Sequence, residues 1–182
     1  MAKSLGLRFH SKIMPVTKAI ATDVSELNVL VNSAYRGETS KQGWTTEANL
    51  LDGLRIDEET LAGYFDDPAI VILKNTDDSG KINGCVYLEV RHPKLYVGMF
   101  SVSPLLQGNG IGRELLIAAE AYAKQADCHT LTMTVISIRH ELISWYERRG
   151  YKTTGEMLPF HVEKKFGIAK QPIELVVLEK NI

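Results

Sequence analysis

The chain has 182 residues, of which 45% are hydrophobic and 24% are charged. These fractions are typical of a soluble globular domain and argue against a disordered or fibrous protein. Twenty-one basic and twenty-two acidic residues give a formal net charge of −1, so there is no excess positive charge to neutralise the phosphates of a nucleic acid. We therefore expect one domain over residues 14–182, preceded by a basic extension over 1–13, and no nucleic-acid partner.

The positions of the cysteines, the histidines and the apolar runs narrow the class of protein further. Cys85 and Cys128 lie far apart and form no CxxC pair, which predicts two ordinary thiols in a reduced, cytoplasmic protein. The five histidines show no metal-ligand spacing, so we predict no metal site. The longest apolar runs, such as 69–73, have the length of a buried strand and are shorter than the ~20 residues that span a bilayer. We expect no membrane partner.

The first third of the chain is predicted to be mainly helical. A short apolar stretch at 19–21 favours a first strand, and apolar residues at helical spacing predict a helix over 23–35. Helical patches follow at 46–54 and 58–65, and Pro68 ends them.

The middle of the chain predicts a β-meander, with β-branched runs over 69–74, 82–91 and 95–102 separated by turns. Helices and strands then alternate, at 110–125, 130–136, 139–149, 151–154 and 173–179. A long loop, 155–172, separates the last two strands. A meander that feeds a βαβ crossover predicts an α/β (α+β) fold, with a mixed, mostly antiparallel central sheet and helices on both faces.

A glycine-rich turn, Gln-Gly-Asn-Gly-Ile-Gly at 107–112, follows the third meander strand and leads into a helix. Glycines let the backbone approach a ligand closely, and N–H groups at a helix start bind phosphate or pyrophosphate. The P-loop requires Gly-Lys-Ser/Thr after the turn, and the dinucleotide fingerprint requires glycine at position 113. Arg113 and Glu114 exclude both patterns.

The remaining pattern, Gln-x-x-Gly-x-Gly preceded by Val-x-Pro, resembles motif A of the GNAT acetyltransferase superfamily. Residues 145–151, Trp-Tyr-Glu-Arg-Arg-Gly-Tyr, are similar to a second motif of that family and stand one strand and one helix later, as in the family. The resemblance covers about 15–180. One departure is Arg139, where many members carry an asparagine that contacts the pantetheine arm of the cofactor. The resemblance implies the GNAT fold and an N-acetyltransferase that uses acetyl-CoA.

The resemblance also implies where acetyl-CoA binds. Its pantetheine arm is expected where the strand ending at Val102 parts from the strand at 130–136, on backbone groups of Phe100 and Val102. The N–H of Val102 is expected to polarise the thioester carbonyl, and the glycine-rich loop to hold the pyrophosphate. The residues so implied are Phe100, Val102, Gln107, Gly108, Asn109, Gly110, Ile111, Gly112 and Arg113.

Tyr146 is the predicted general acid, because a phenol can donate a proton or hydrogen bond to the departing CoA thiolate. Its alternative role is an aromatic core residue. A base is needed because deprotonating a lysine-like amine near neutral pH costs roughly 4 kcal/mol. Glu89 is the leading candidate, since burial in an apolar strand would raise its pKa; the alternative is an outward-facing glutamate. Tyr96 and Glu47 are weaker candidates, and a water relay would need no protein base.

The acceptor pocket is expected from the first helices and their loop, at Tyr35, Arg36, Trp44 and Thr45, with the loop around Phe160. Arg36 is expected to pair with a substrate carboxylate. The acceptor itself stays open between a small-molecule amine and a peptide amine, and a homodimer follows only from the resemblance. Two other functions remain: a non-catalytic acyl-CoA-binding or sensor module on the same fold, and a nucleotide-binding regulatory domain.

Overall fold

The computed structural model describes residues 15–161, 163 and 165–182. The predicted basic extension over 1–13 lies outside the described residues. The helices are α1 (Val24–Tyr35), α2 (Gly37–Ser40), α3 (Glu58–Gly63), α4 (Ile111–Gln125) and α5 (His140–Glu147). The strands are β1 (Val16–Lys18), β2 (Leu51–Asp52), β3 (Ile70–Thr76), β4 (Ile82–Arg91), β5 (Lys94–Val102), β6 (Thr130–Ile136), β7 (Lys152–Pro159), β8 (Ile168–Ala169) and β9 (Glu174–Asn181).

Seven of these strands form one sheet in the order β1-β3-β4-β5-β6-β9-β7. Every neighbouring pair is antiparallel except β5 and β6, which are parallel. Because side chains alternate between the faces of a strand, adjacent residues of one strand enter different cores. Cys85 packs with α1 and α3, whereas Val86 packs with α4 and α5. The predicted fold, a mixed and mostly antiparallel sheet with helices on both faces, is confirmed.

The sheet opens between its two parallel strands. β5 and β6 pair at only three positions, from Lys94 with Thr130 to Tyr96 with Thr132. Beyond them, β5 pairs only with β4, and β6 pairs only with β9. A bulge lies in β5 at this point, since the register with β4 shifts and Met99 has a φ of +44°. A bulge bends its strand and increases the local twist, so the geometry of β5 contributes to the opening.

Three predicted segments differ from the structure. The first strand lies at Val16–Lys18, and the expected strand at 19–21 runs into a 3₁₀ turn. No helix forms over 46–54. Ala48 and Leu51 are buried there, but the segment forms a turn followed by β2, which pairs with β8. The loop over 155–172 is shorter than predicted, because β7 resumes its pairing with β9 after a register shift.

The described residues hold no helix with the length and apolar character needed to cross a membrane. In the same residues, no three His, Cys, Asp or Glu side chains lie together as metal ligands would. Both cysteines are buried and free, as the sequence predicts for core thiols. Burial raises the pKa of Cys85 to about 12, which leaves the thiol protonated and unreactive as a nucleophile.

The bulge predicts that glycine is more stable than alanine at position 99. Met99→Gly and Met99→Ala both lose the contacts that the methionine side chain makes beyond its β-carbon, but the β-carbon that alanine keeps is strained at a positive φ. We expect the glycine variant to be the more stable of the two by about 1 kcal/mol in urea unfolding. Val97 is the matched control, since it is buried in the same strand; there glycine should be less stable than alanine by about 0.5–1 kcal/mol. Equal glycine penalties at the two positions would contradict strain at the bulge.

Candidate active site

Two cavities flank the opening in the sheet. The loop cavity, of about 430 Å³, lies between the end of β5, the glycine-rich loop and the helices α4 and α5. The strand cavity, of about 250 Å³, lies where β5 and β6 part, between residues 96–100 and 133–136. Five side chains line both cavities, namely Tyr35, Phe100, Arg139, Leu142 and Tyr146. The two cavities therefore meet at these residues.

The glycine-rich loop presents unpaired N–H groups to the loop cavity. Gly108 and Gly110 have φ values of +87° and +89°, which side chains rarely adopt. The first backbone hydrogen bond of α4 runs from the N–H of Glu114 to the carbonyl of Gly110, so the N–H groups over 111–113 have no acceptor within the helix. Together with the dipole of a 15-residue helix, they form an anion site.

The side chain of Gln107 makes two hydrogen bonds at the wall of the loop cavity. Its Oε1 accepts a hydrogen bond from the N–H of Trp44 at 2.9 Å, and its Nε2 donates to the carbonyl of Val102 at 3.4 Å. At Gly43 a β-carbon would lie 2.5 Å from the Gln107 Oε1, so this close approach requires glycine. Gln107 thus holds the loop at Trp44 against the end of β5.

Besides Arg139 at the junction, three arginines line the loop cavity: Arg113, Arg148 and Arg149. The Arg149 guanidinium lies 3.5 Å from the ring centroid of Trp145. Burial lowers the pKa of Arg149, and the charges of Arg148 and Arg113 lower it further. Three guanidinium groups so close together make this end of the cavity suitable for a ligand with several phosphates.

The end of β5 presents backbone groups to the opening. The N–H of Ser103 donates to the carbonyl of Asn83 at 2.8 Å, and because hydrogen-bonding direction alternates along an antiparallel strand, the N–H of Val102 faces away from β4. The Phe100 carbonyl also faces away, where it accepts a hydrogen bond from the hydroxyl of Tyr35 at 3.0 Å. Burial raises the pKa of Tyr35 to about 12, so this hydroxyl remains a donor.

Tyr146 stands at the junction of the two cavities. Its side chain is 4% exposed, and its ring makes edge contacts with the rings of Phe100, Trp145 and Tyr151. Burial raises the pKa of Tyr146 well above its usual value, and the neighbouring hydroxyls of Tyr35 and Tyr151 add to the effect. Tyr146 is therefore protonated at neutral pH and can donate a hydrogen bond.

Arg36 does not line either cavity, contrary to its expected place in the acceptor pocket. It is 8% exposed and pairs with the buried carboxylate of Glu47. The other oxygen of Glu47 accepts a hydrogen bond from Arg139 at 2.8 Å. Arg139 also donates to Thr45 at 2.5 Å. We call these three residues, Arg36, Glu47 and Arg139, the buried ion cluster. It joins the end of α1 to the start of α5.

Glu89 lies outside the residues that line the two cavities. The sequence predicts a raised pKa for this carboxyl, but its hydrogen bond from Arg91 lowers the pKa, and a hydrogen bond from Tyr87 lowers it further. The pKa of Glu89 therefore shifts in the direction opposite to the expected one, and its role as general base stays a prediction. Glu47 reaches the strand cavity, but both its oxygens are held by arginine.

The structure brings most of the other predicted residues together. The loop cavity contains the predicted cofactor-binding residues, except that the exposed side chain of Asn109 is not on its wall. Trp44 and Thr45 line this cavity and not the strand cavity, whereas Tyr35 lines both and Phe160 lines the strand cavity.

Sequence reasoning missed four arginine or tryptophan side chains on the cavity walls. Arg148 and Arg149 follow Tyr146 directly, and Trp145 precedes it, so their place beside the second motif could have marked them. Arg55 lines the strand cavity, and no pattern in the sequence distinguishes it from a surface arginine. Its position depends on a tertiary contact, in which its N–H donates to the side chain of Asn32 at 2.7 Å.

An anion site beside an opening in a mixed sheet is typical of a protein that binds a long phosphorylated cofactor. The model of the acetyltransferase (GNAT) family matches residues 41–151, which is more than half of the chain. The match includes the glycine-rich loop and the helices α4 and α5. The chain belongs to the GNAT acetyltransferase family, whose members use acetyl-CoA as co-substrate.

Similar proteins agree with this assignment. Mycothiol acetyltransferase from Rhodococcus erythropolis is 26% identical over 155 residues, which are 81% of this chain and 47% of the relative. The chain spans about half the length of the curated relatives it matches. The ribosomal-protein-alanine N-acetyltransferase from Brucella melitensis superposes with a TM-score of 0.69 at 18% identity, over 93% of this chain and 100% of the other. The yncA protein from Salmonella typhimurium, solved with its cofactor acetyl-CoA, superposes with a TM-score of 0.67 at 15% identity, over 93% of this chain and 94% of the other. Identities this low show the shared fold.

The buried ion cluster predicts a large stability loss on neutralising Glu47. Glu47→Gln leaves the buried Arg36 without a carboxylate partner and leaves Arg139 with the half-exposed Glu141 at 3.7 Å, so we expect the free energy of unfolding in urea to fall by about 3 kcal/mol. Glu38→Gln is the matched control, because this exposed glutamate pairs with Lys41 at the surface and should cost less than about 0.5 kcal/mol. A loss at Glu47 as small as that at Glu38 would show that the cluster does not stabilise the fold.

Proposed function

We propose that this protein is an N-acetyltransferase that transfers an acetyl group directly from acetyl-CoA to a primary amine. The observation that carries the proposal is the junction of the loop cavity with the strand cavity at Tyr35, Phe100 and Tyr146. One cavity suits a phosphorylated cofactor, and the other offers a second molecule access to the same point. Direct transfer needs this arrangement, because the thioester and the amine must meet without a covalent enzyme intermediate.

The cofactor lies along the loop cavity. Its pyrophosphate binds the N–H groups over 111–113, and Arg113, Arg148 and Arg149 add positive charge beside it. Its pantetheine arm continues the sheet at the open edge of β5, where the N–H of Val102 is free to donate. The thioester then reaches the junction beside Tyr146. Trp44 and Trp145, whose ring centroids are 6.3 Å apart, shield this path from water.

The reaction forms a C–N bond and breaks the thioester C–S bond. The neutral amine attacks the carbonyl carbon, and the N–H of Val102 stabilises the negative charge that develops on the carbonyl oxygen. Collapse of the tetrahedral intermediate expels the sulfur as a thiolate. Tyr146 donates a hydrogen bond to that sulfur, and the proton lost by the nitrogen completes the CoA thiol. Since the pKa of Tyr146 is raised, the phenol acts as a hydrogen-bond donor rather than as a strong acid.

The charges around the strand cavity explain how an amine can be neutral without a dedicated protein base. Neither Glu89 nor Glu47 is a free carboxylate at this point. In the buried ion cluster Arg36 and Arg139 share Glu47, and the half-exposed Glu141 lies 3.7 Å from Arg139. Arg55 adds a positive charge to the wall of the strand cavity. Nearby positive charge disfavours an ammonium ion and lowers its pKa. The proton then leaves through solvent in the strand cavity.

Cofactor binding is tested by ligand-induced thermal stabilisation. We expect CoA to raise the melting temperature and ATP and NAD to leave it unchanged, since a ligand of the native state at a hundredfold excess over its Kd stabilises by about 2.7 kcal/mol. Gly110→Ala should weaken CoA binding about fivefold, because a β-carbon at φ +89° displaces the N–H groups of the loop. Gly80→Ala is the control, as Gly80 has a φ of +88° outside both cavities.

Equal stabilisation by ATP, NAD and CoA would instead favour a nucleotide-binding regulatory domain. Equal weakening by Gly110→Ala and Gly80→Ala would show that the loss reflects backbone strain alone and not the anion site.

The role of Tyr146 is tested by steady-state release of the CoA thiol. Tyr146→Phe should lower kcat about 100-fold by removing the donor to the thiolate, while CoA affinity stays within about twofold because the ring contacts remain. Tyr151→Phe is the matched control, since its buried hydroxyl has no partner among the described residues and lies outside both cavities; its kcat should be unchanged. An unchanged kcat in Tyr146→Phe would exclude this role, and CoA binding without thiol release from any amine would favour an acyl-CoA-binding module.

A further inference from the structure

We propose that the acceptor is a small amine that also carries an oxyanionic group, and that Arg55 binds this group in the strand cavity. This inference rests on the proposed function, because it specifies the acceptor class for the same site. It differs from the sequence-based expectation that Arg36 pairs with a substrate carboxylate. Arg36 forms an ion pair with Glu47, whereas Arg55 lines the strand cavity.

The Arg55 guanidinium lies over the ring of Tyr35 and has no carboxylate partner among the described residues. The backbone N–H of Arg55 donates to the side chain of Asn32 at 2.7 Å, and its guanidinium carbon lies 5.2 Å from the ring centroid of Tyr35. No carboxylate of the described residues lies within 4 Å of its nitrogens, although the side chain is partly buried. A positioned guanidinium without a carboxylate partner can bind an oxyanion through two parallel hydrogen bonds.

The charge balance of the strand cavity also favours an anion. Its charged walls are Arg55, Arg139 and Glu47, with His161 at the rim. Glu47 is shared between Arg36 and Arg139, so the cavity offers no free carboxylate to a cationic acceptor. A polyamine or another acceptor with additional positive charges would meet net repulsion here, whereas an oxyanion would be attracted.

A single side chain, that of Tyr35, connects Arg55 to the junction. Tyr35 links the two points, because its ring contacts the Arg55 guanidinium and its hydroxyl donates to the Phe100 carbonyl at 3.0 Å. An acceptor can therefore place its oxyanion at Arg55 and its amine at the junction with the thioester. The cavity volume of about 250 Å³ matches a small molecule, since ligand pockets for larger compounds run from about 300 to 1,000 Å³.

The test compares amines that differ only in the anionic group. Glycine, β-alanine and γ-aminobutyrate are assayed for thiol release from acetyl-CoA against their carboxamides, and the corresponding aminoalkylphosphonates form a parallel series. At one chain length we expect the oxyanionic amine to exceed its amide in kcat/KM by about tenfold or more. A larger preference for the phosphonates would indicate that the natural acceptor carries a phosphate-like group. A larger preference for the carboxylates would indicate that it carries a carboxylate.

Arg55→Gln should reduce this preference to near unity, whereas Arg55→Lys should keep part of it. Lys124→Gln is the control for net charge, because Lys124 is exposed in the last turn of α4 and lies outside both cavities; it should keep the preference. Amides that react as well as the oxyanionic amines, or a preference that persists in Arg55→Gln, would overturn the inference while the acetyl transfer stands.

A binding measurement separates failure of the inference from failure of the proposed function. The melting temperature of the CoA-loaded protein is recorded with γ-aminobutyrate, with its amide and with the phosphonate analogue. Stabilisation by the oxyanionic compounds alone, lost in Arg55→Gln, supports the inference even where no thiol is released. Equal stabilisation by all three, or by none, contradicts it.

Discussion

The parallel pairing of β5 with β6 stops after three residues, and the site depends on this constraint. Up to Tyr96 the two strands share a ladder; beyond it, each has a free backbone edge that faces the other across the strand cavity. The bulge at Met99 lies on the far part of β5, and the glycine-rich turn follows the end of that strand. The open backbone edge and the anion site are therefore neighbours along the chain. A sheet that stayed closed would have buried the same backbone groups in hydrogen bonds and left no place for two ligands to meet.

Helix α5 closes the junction, and the buried ion cluster positions that helix. Arg139 stands just before α5 and shares Glu47 with Arg36, which follows α1. Tyr146 is two helical turns further along α5. The arginine that replaces the family's usual asparagine therefore has a structural role, since it connects the two helices that bound the site. The same cluster lines the strand cavity with Arg139 and with Glu47, whose carboxylate is already paired. The cluster therefore links fold stability to the electrostatics that an incoming amine meets.

The sequence predicted the parts of the site that depend on local chemistry. Glycines before a helix and a helix that ends in Tyr-Glu-Arg-Arg-Gly-Tyr fix their own conformation, and the structure places both on the loop cavity. Predictions that depended on packing were less successful. Glu89 is an acid in an apolar strand, but its neighbours Arg91 and Tyr87 lower its pKa. Arg36 is expected to bind the acceptor, yet it pairs with Glu47, which lies 11 residues further along the chain. Arg55 had no local pattern, because its place depends on Asn32 and Tyr35.

We propose that the thioester and the amine meet at the junction of the two cavities beside Tyr146. A crystal structure of the protein with CoA would locate the cofactor. We expect the pyrophosphate within hydrogen-bond distance of the N–H groups over 111–113, the pantetheine along the open edge of β5, and the sulfur at the junction, facing the strand cavity. A CoA molecule whose sulfur points away from Tyr146, or whose pyrophosphate lies elsewhere than on the glycine-rich loop, would contradict it.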